Sequence, residues 1–131
     1  MVKDPVADLL VRLKNAQAVK KESTTVPYSA LLWEIAKVLE GAGFISKIDR
    51  KGKRVRRFLE ATLVYNENGE GRISGARRIS KQSKRVYKKA KELYPVKHGQ
   101  GIEVVSTSHG VMTAAEARKG GVGGEILFEI W

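Results

Sequence analysis

Apolar positions along this chain recur with two different periods, and each change of period marks a new element. Val6, Leu9, Leu10 and Leu13 fall at helical spacing and form one stripe. Asp4-Pro5 opens that helix, because aspartate accepts from orphan N–H groups and proline loses nothing at the first helical position. Lys20-Lys21-Glu22 closes it, and Thr24-Thr25-Val26 reads as a short strand. Ser29 is the N-cap of a second helix, with Leu31, Leu32, Ile35, Val38 and Leu39 as its buried face and Gly41 and Gly43 as its stop. Trp33 has the character of a stacking platform, but a tryptophan within an apolar helix is expected in the core. From Phe44 the period shortens. Phe44 to Ile48 reads as a strand, Gly52 as a hairpin turn, and Phe58 to Tyr65 alternates, with Leu59, Ala61, Leu63 and Tyr65 on one face. Asn66 to Gly69 is a turn, and Arg72 to Ser80 is expected as a third strand. Two helices on one face of a three-stranded antiparallel sheet make an N-terminal α+β lobe over residues 1–80.

A second lobe, residues 81–131, is mainly antiparallel β with one short helix. Lys81 to Lys84 is the connector, Arg85 to Lys88 a strand, and Lys89 to Tyr94 one helical turn stopped by Pro95. His98 to Gly101 is a flexible loop, and Ile102 to Val105 is the expected central strand. Three hydroxyl residues follow, Ser106, Thr107 and Ser108, and His109-Gly110 turns the chain. Thr113 and Glu116 form a capping box for a short helix, and Gly120 is its expected left-handed C-cap. Gly121, Gly123 and Gly124 leave the backbone bare before Glu125. In the last strand Ile126, Phe128 and Ile130 face inward, with Leu127 and Trp131 free to pack on the other lobe.

Charge adds a partner to this outline. The chain has 131 residues and a formal net charge of +11, and the excess is not evenly spread. Residues 46–100 carry seventeen basic and five acidic side chains, whereas residues 101–131 carry two basic and four acidic. That concentration favours a nucleic-acid surface over a merely solvated face. Its densest run holds Lys51, Lys53, Arg54, Arg56 and Arg57, a basic loop that adds salt-sensitive affinity without reading sequence. There are no cysteines, which excludes disulfide frameworks and thiolate metal sites. No apolar run approaches the roughly 20 residues of a membrane span, and MVKDPVADLL lacks signal-peptide features. A cytoplasmic location without a membrane partner is expected.

Catalytic patterns are sparse. His98 and His109 sit on different loops, and no HExxH, Walker loop or zinc spacing occurs. GGVGGE lacks the strand-to-helix order of a dinucleotide site and the lysine of a phosphate loop. A Ser108–His109–Glu125 triad lacks any mark of an oxyanion hole. An RNA-processing enzyme using His109 and Glu125 is the residual catalytic alternative. RNA binding suits the same residues better. A-form RNA presents 2′-hydroxyls in a shallow minor groove, and its readers need short hydrogen-bonding side chains and approachable backbone. Ser106, Thr107 and Ser108 both donate and accept, while Tyr87 offers a ring to an unpaired base. From the residues alone, a capped turn whose hydroxyls serve only the backbone is an equal reading, as is Glu125 anchoring hydroxyls inside the protein.

STSHGVMT followed by EARKGGVGGEI resembles the C-terminal signature of the bacterial small-subunit ribosomal protein eight family, STS-x-G-hydrophobic pair-T, then AR and GxGGE. DPVADLLVRLKNA resembles that family's opening, and RRISK and RVY fit its middle, so four motifs lie in order over nearly the whole chain. The resemblance implies a structural ribosomal component without catalysis, cofactor or metal, which binds a helix of the central domain of small-subunit ribosomal RNA early in assembly. It implies specific contacts from the C-terminal lobe through Tyr87, Ser106, Thr107, Ser108, His109, Gly123, Gly124 and Glu125, with Arg85 and Lys88 nearby. It implies others from Asp4, Arg12, Asn15 and the basic loop. Neighbouring small-subunit proteins, including protein five, are implied partners, and some members also repress their own messenger RNA by binding a similar hairpin; a free-standing RNA-binding repressor is the alternative in the same class. Three positions depart from the pattern: Ala30 stands where lysine is common, Gln82-Ser83 replaces a Pro-Gly pair, and His109 replaces lysine.

Overall fold

Asp4 Oδ1 accepts the Ala7 N–H at 3.1 Å, so the first helix, α1 (Pro5–Ala18), starts where its capping residue predicts. This computed structural model describes residues 4–94 and 101–131; the expected stop at Pro95 and the His98–Gln100 part of the predicted loop lie outside them. Its chain divides into two units, Met1–Ser74 and Gly75–Trp131.

In the first unit α1 buries Val6, Leu9, Leu10, Leu13 and Ala16. Ser29 Oγ accepts the Leu32 N–H at 3.1 Å and caps α2 (Ala30–Gly41). The buried arc of α2 is Leu32, Ile35, Ala36 and Leu39, an i, i+3, i+4, i+7 set. Leu31 lies outside that arc and is 39% exposed, and Val38 is half-buried, which corrects the expected face by one position. Trp33 is also off the arc and half-buried, so it is not a core residue.

Both helices pack on an antiparallel sheet of β1 (Ser23–Pro27), β2 (Ile45–Lys51) and β3 (Phe58–Leu63) in the order β1-β3-β2. β3 alternates as predicted, burying Leu59, Ala61 and Leu63. Ile45 and Ile48 are both buried despite their spacing, because a bulge shifts the β2 register between Ile45 and Lys47. The expected third strand over Arg72–Ser80 is absent from this sheet. β3 already has a neighbour on each edge, and the Gln17 side chain takes Ile73 instead. Gln17 Nε2 donates to the Ile73 carbonyl at 2.7 Å, and the Ile73 N–H donates to Gln17 Oε1 at 3.0 Å. A helix side chain thus stands in for a strand.

The rest of that segment belongs to the second unit. β4 (Ala76–Arg78), β5 (Tyr87–Lys88), β6 (Ile102–Thr107), β7 (Gly110–Thr113) and β8 (Gly124–Ile130) form one sheet, with β4 and β5 on one edge of β8 and β6 then β7 on the other. The centre is therefore β8 and not the Ile102–Val105 strand. Between β4 and β5 the chain stays on β8, since Ile79 and Ser80 N–H groups donate to the Leu127 and Ile126 carbonyls at 3.1 and 3.0 Å. The Lys81–Lys84 turn is closed by reciprocal backbone hydrogen bonds of 2.9 and 3.0 Å, so Gln82-Ser83 forms a tight turn. Ala90–Glu92 is a single 3-10 turn.

The C-terminal helix, α3 (Ala114–Lys119), has its predicted capping box: Thr113 Oγ1 accepts the Glu116 N–H at 3.1 Å and Glu116 Oε1 accepts the Thr113 N–H at 3.1 Å. Its far end differs in detail. Gly120 keeps a right-handed φ of −79°, and Gly121 at φ 70° is the left-handed residue. Gly121 N–H donates to Arg118 O and Val122 N–H to Ala117 O, a Schellman ending with Val122 folded back on the core. α3 covers one face of the sheet, packing its Ala114 and Ala117 with Leu93, Val105 and Ile126. A bulge between Val104 and Val105 in the β6–β8 register accounts for Leu127, which is buried. Trp131 pairs with Gly75 through two backbone hydrogen bonds within the second unit.

One core position is anomalous. Glu103 is 7% exposed, and its Oε1 has no hydrogen-bond partner among the described residues. Burial pushes its carboxyl pKa up, Glu129 beside it adds to this, and Lys88 and Arg77 oppose it. A raised folded-state value means that stability is full below the unfolded pKa and falls as pH rises through the folded one. Glu103→Gln should therefore raise the melting temperature at neutral pH, with a gain that vanishes as pH drops below about 4, the unfolded range for glutamate.

Candidate nucleic-acid interface

Residues directly opposite one another in an antiparallel sheet place their side chains on the same face. Tyr87 on β5 is opposite Glu125 on β8, and Glu125 is opposite Ser106 on β6. These three predicted residues therefore form one row across three strands. The intervening positions, Val105 and Ile126, belong to the core under α3, so the row lies on the face that α3 leaves uncovered.

Each member of the row has a distinct environment. Tyr87 is 68% exposed. Among the described residues, the Ser106 and Ser108 hydroxyls have no partner within the protein, and Ser108 and His109 form the exposed two-residue tip of the β6–β7 hairpin. Thr107 does differ from them. Its Oγ1 accepts the His109 N–H at 3.0 Å and donates to the Gly110 carbonyl at 2.8 Å, so it holds the tip in shape. Of the three hydroxyls, one serves the backbone and two remain outward resources.

Glu125 is engaged inside the protein. Ser80, fully buried, donates from Oγ to Glu125 Oε2 at 2.5 Å and accepts the Val86 N–H at 3.2 Å. Arg85 Nη1 donates to the same carboxylate oxygen at 2.9 Å. Burial works against the charge, but the Ser80 hydroxyl and the Arg85 guanidinium outweigh it and hold the Glu125 pKa below its ordinary value. Ser80, expected only as the end of a strand, thus ties β5 to β8 beneath Tyr87. The signal that could have found it is the need of a carboxylate at the start of an inward-facing strand for a nearby donor.

The glycines also serve the protein. A Cβ at Gly123 would lie 2.4 Å from the Lys88 carbonyl oxygen, and one at Gly124 would lie 2.2 Å from the Ser106 carbonyl oxygen. Glycine at both positions permits close approach of the chain to itself, which sets how far Tyr87 and Ser106 stand apart. Arg85 is exposed beside the row, and Lys88, opposite Gly124, is half-buried.

The remaining candidates lie in the first unit. Asp4 is consumed as the α1 cap. Arg12 Nε donates to Asp8 at 2.9 Å and its Nη1 to the Thr25 carbonyl at 2.9 Å. Asn15 is exposed. Gly52, at φ 93°, begins the predicted basic loop between β2 and β3. Lys51 donates to Glu60 at 2.6 Å, and this hydrogen bond raises the Lys51 pKa, so its charge is already matched. Lys53, Arg54, Arg56 and Arg57 are exposed. Among the described residues no group of three or more His, Cys, Asp or Glu side chains could hold a metal ion, and no helix is long and apolar enough to cross a membrane.

The chain is similar to known proteins over nearly its whole length. A family profile described as ribosomal protein S8 matches residues 4–131. The chain is 46% identical over 128 residues to the small ribosomal subunit protein uS8 of Clostridium beijerinckii, covering 98% of this chain and 97% of that protein. It is 44% identical over 128 residues, with the same coverage, to the uS8 proteins of Staphylococcus aureus strains JH9 and Newman.

Proposed function

This chain belongs to the ribosomal protein S8 family, and on that footing we propose how its two units hold RNA. It is a structural constituent of the small ribosomal subunit rather than an enzyme, with ribosomal RNA and other ribosomal proteins as partners, and it resides on cytoplasmic ribosomes. In our reading the second unit supplies the shape-specific contacts to a helix of the central domain. The observation that carries this is the Tyr87–Glu125–Ser106 row, with an exposed ring at one end and unengaged hydroxyls at the other. Ser106 and Ser108 meet 2′-hydroxyls and base edges in the minor groove, Tyr87 takes an unpaired base, and His109 at the tip faces backbone. Thr107, Gly123, Gly124 and Glu125 act one step behind, by fixing the positions of those groups.

The first unit adds charge without reading sequence, through Arg12 and the 52–57 loop, and Asn15 adds a neutral hydrogen-bonding group. A surface that reads shape accepts any RNA of the same shape, so a hairpin in the protein's own messenger RNA is a second ligand in this reading. Small-subunit protein five is the proposed protein neighbour, on the family resemblance alone.

Tyr87→Ala tests the assignment. It should weaken binding to the specific RNA helix by about 1–3 kcal/mol, the range for one stacked base, while leaving the melting temperature and binding to unrelated RNA unchanged. Equal losses on both RNAs would remove Tyr87 from recognition. Replacing Lys53, Arg54, Arg56 and Arg57 with glutamine should flatten the log–log salt dependence by about 0.7–0.9 for each phosphate that is no longer neutralised. An unchanged slope would make the loop a solvated face only.

A further inference from the structure

The first unit carries a run of alternating cations and rings of which only Arg57 belongs to the RNA-contacting residues above. The Arg57 guanidinium is 6.0 Å from the Tyr28 ring centroid, Arg50 is 5.5 Å from Tyr28 and 5.9 Å from Trp33, and Lys37 is 5.5 Å from Trp33. The order along the surface is thus Arg57, Tyr28, Arg50, Trp33, Lys37. Three members stand on regular elements and two are tied by the backbone. Trp33 and Lys37 are on α2, Arg50 is on β2, and Tyr28, just after β1, donates its N–H to the Arg57 carbonyl at 3.1 Å. Trp33 and Tyr28 are half-buried, while the three cations are not.

We infer that this run is a second RNA subsite, one that takes a single-stranded segment by stacking its bases on Trp33 and Tyr28 and pairing its phosphates with Arg50 and Arg57. The inference extends the RNA-binding reading given above to a set of residues that shares only Arg57 with it. Single-strand binders combine sequence-tolerant aromatic platforms with cations that follow the backbone, and that is the pattern here. A duplex would not serve, because its bases are hidden from a flat ring. Centroid distances of 5.5–6.0 Å place Arg50 and Arg57 at the outer reach of ring attraction, so they are loosely held and can turn to a phosphate, whereas Lys37 is paired with Glu40 at 3.2 Å. Arg50 and Arg57 make no ion pair among the described residues.

Tryptophan, tyrosine and arginine are also the residues of protein–protein hot spots. Charge decides between the two partners. Residues 47–57 contain seven cations against one acid, Asp49, and Asp49 is already paired with Lys47. A polyanion matches that balance better than an average protein surface does.

The chain has two tryptophans, so in a Trp131→Phe background Trp33 is the sole indole emitter. Titration of the full chain with single-stranded oligoadenosine should quench that emission, and added salt should reverse the effect. Arg50→Gln should weaken the apparent affinity by about tenfold, the loss on the scale of one stacked or paired nucleotide, and Arg50→Lys should restore part of it. Tyr87→Ala should leave the quenching untouched, which separates this subsite from the second unit's row. Unquenched Trp33 in a protein that still shifts structured RNA through Tyr87 would overturn the inference and spare the functional reading. Quenching by a mixture of small-subunit proteins but not by the oligonucleotide would overturn it too, and assign the face to a protein neighbour. Quenching that survives while Tyr87→Ala has no effect on structured RNA would support the subsite and count against the row.

Discussion

Gly124→Ala is expected to destabilise the second unit by about 3 kcal/mol, the upper part of the range for overpacking. The added methyl would sit 2.2 Å from the Ser106 carbonyl oxygen and 3.0 Å from its carbonyl carbon. Both are main-chain atoms of a paired strand, so no rotamer change relieves the clash. β6 must move off β8 at the position where Ser106 faces Glu125. Specific RNA affinity should fall at least tenfold, about 1.4 kcal/mol, because Ser106 and Tyr87 no longer keep their separation. Gly120→Ala is the control within the same glycine-rich stretch. Gly120 has φ −79° and its nearest Cβ neighbour would be 3.4 Å away, so alanine there should be tolerated. Denaturant unfolding of the two variants checks the pair. Wild-type stability for Gly124→Ala would mean that close backbone approach is not why glycine is required.

Glu125→Ala is expected to cost about 2–3 kcal/mol, the range for losing a hydrogen bond to a charged group with its buried partner left behind. Ser80 is that partner, fully buried and held at 2.5 Å. Arg85 contributes less, since its side chain is 48% exposed and water screens the pair. Glu125→Gln keeps an acceptor for Ser80 and should lose a smaller part. The pH dependence has a definite sign. The folded-state pKa is depressed, so the stabilisation is present above the unfolded value and disappears as pH falls through the folded one. Wild-type and Glu125→Ala unfolding curves should therefore converge in acid. Parallel curves down to the lowest accessible pH would mean that the ionised carboxylate is not what Ser80 needs.

Much of this architecture is written in local pattern. The caps at Asp4, Ser29 and Thr113 sit where their side chains dictate, because a cap depends on residues three apart and on nothing distant. The alternation of β3 is equally local. What depended on pairing across the chain was less legible. Nothing near Arg72–Ser80 indicates that the outer edge of β8 is its partner, or that Gln17 will occupy Ile73 from a helix. Trp33 reads as core by composition, but the buried arc of α2 is set by Leu32, Ile35, Ala36 and Leu39, and the indole lies outside it. The candidate site followed the same division. Its residues were legible as a motif, and Tyr87, Glu125 and Ser106 do share a row. The role of Glu125 was not legible, because whether a carboxylate faces outward or serves the protein depends on a partner such as Ser80, 45 residues away, that is supplied by the fold.

β4, β5 and β6 all pair with β8, which comes last among the strands. During translation, then, the first unit has all its strands in hand while the second still lacks the one to which three others attach. A polypeptide interrupted before Gly124 has β4 and β5 with nothing to pair against and no row of groups to offer RNA. Synthesis order thereby delays the Tyr87–Glu125–Ser106 row until the chain has made its final strand.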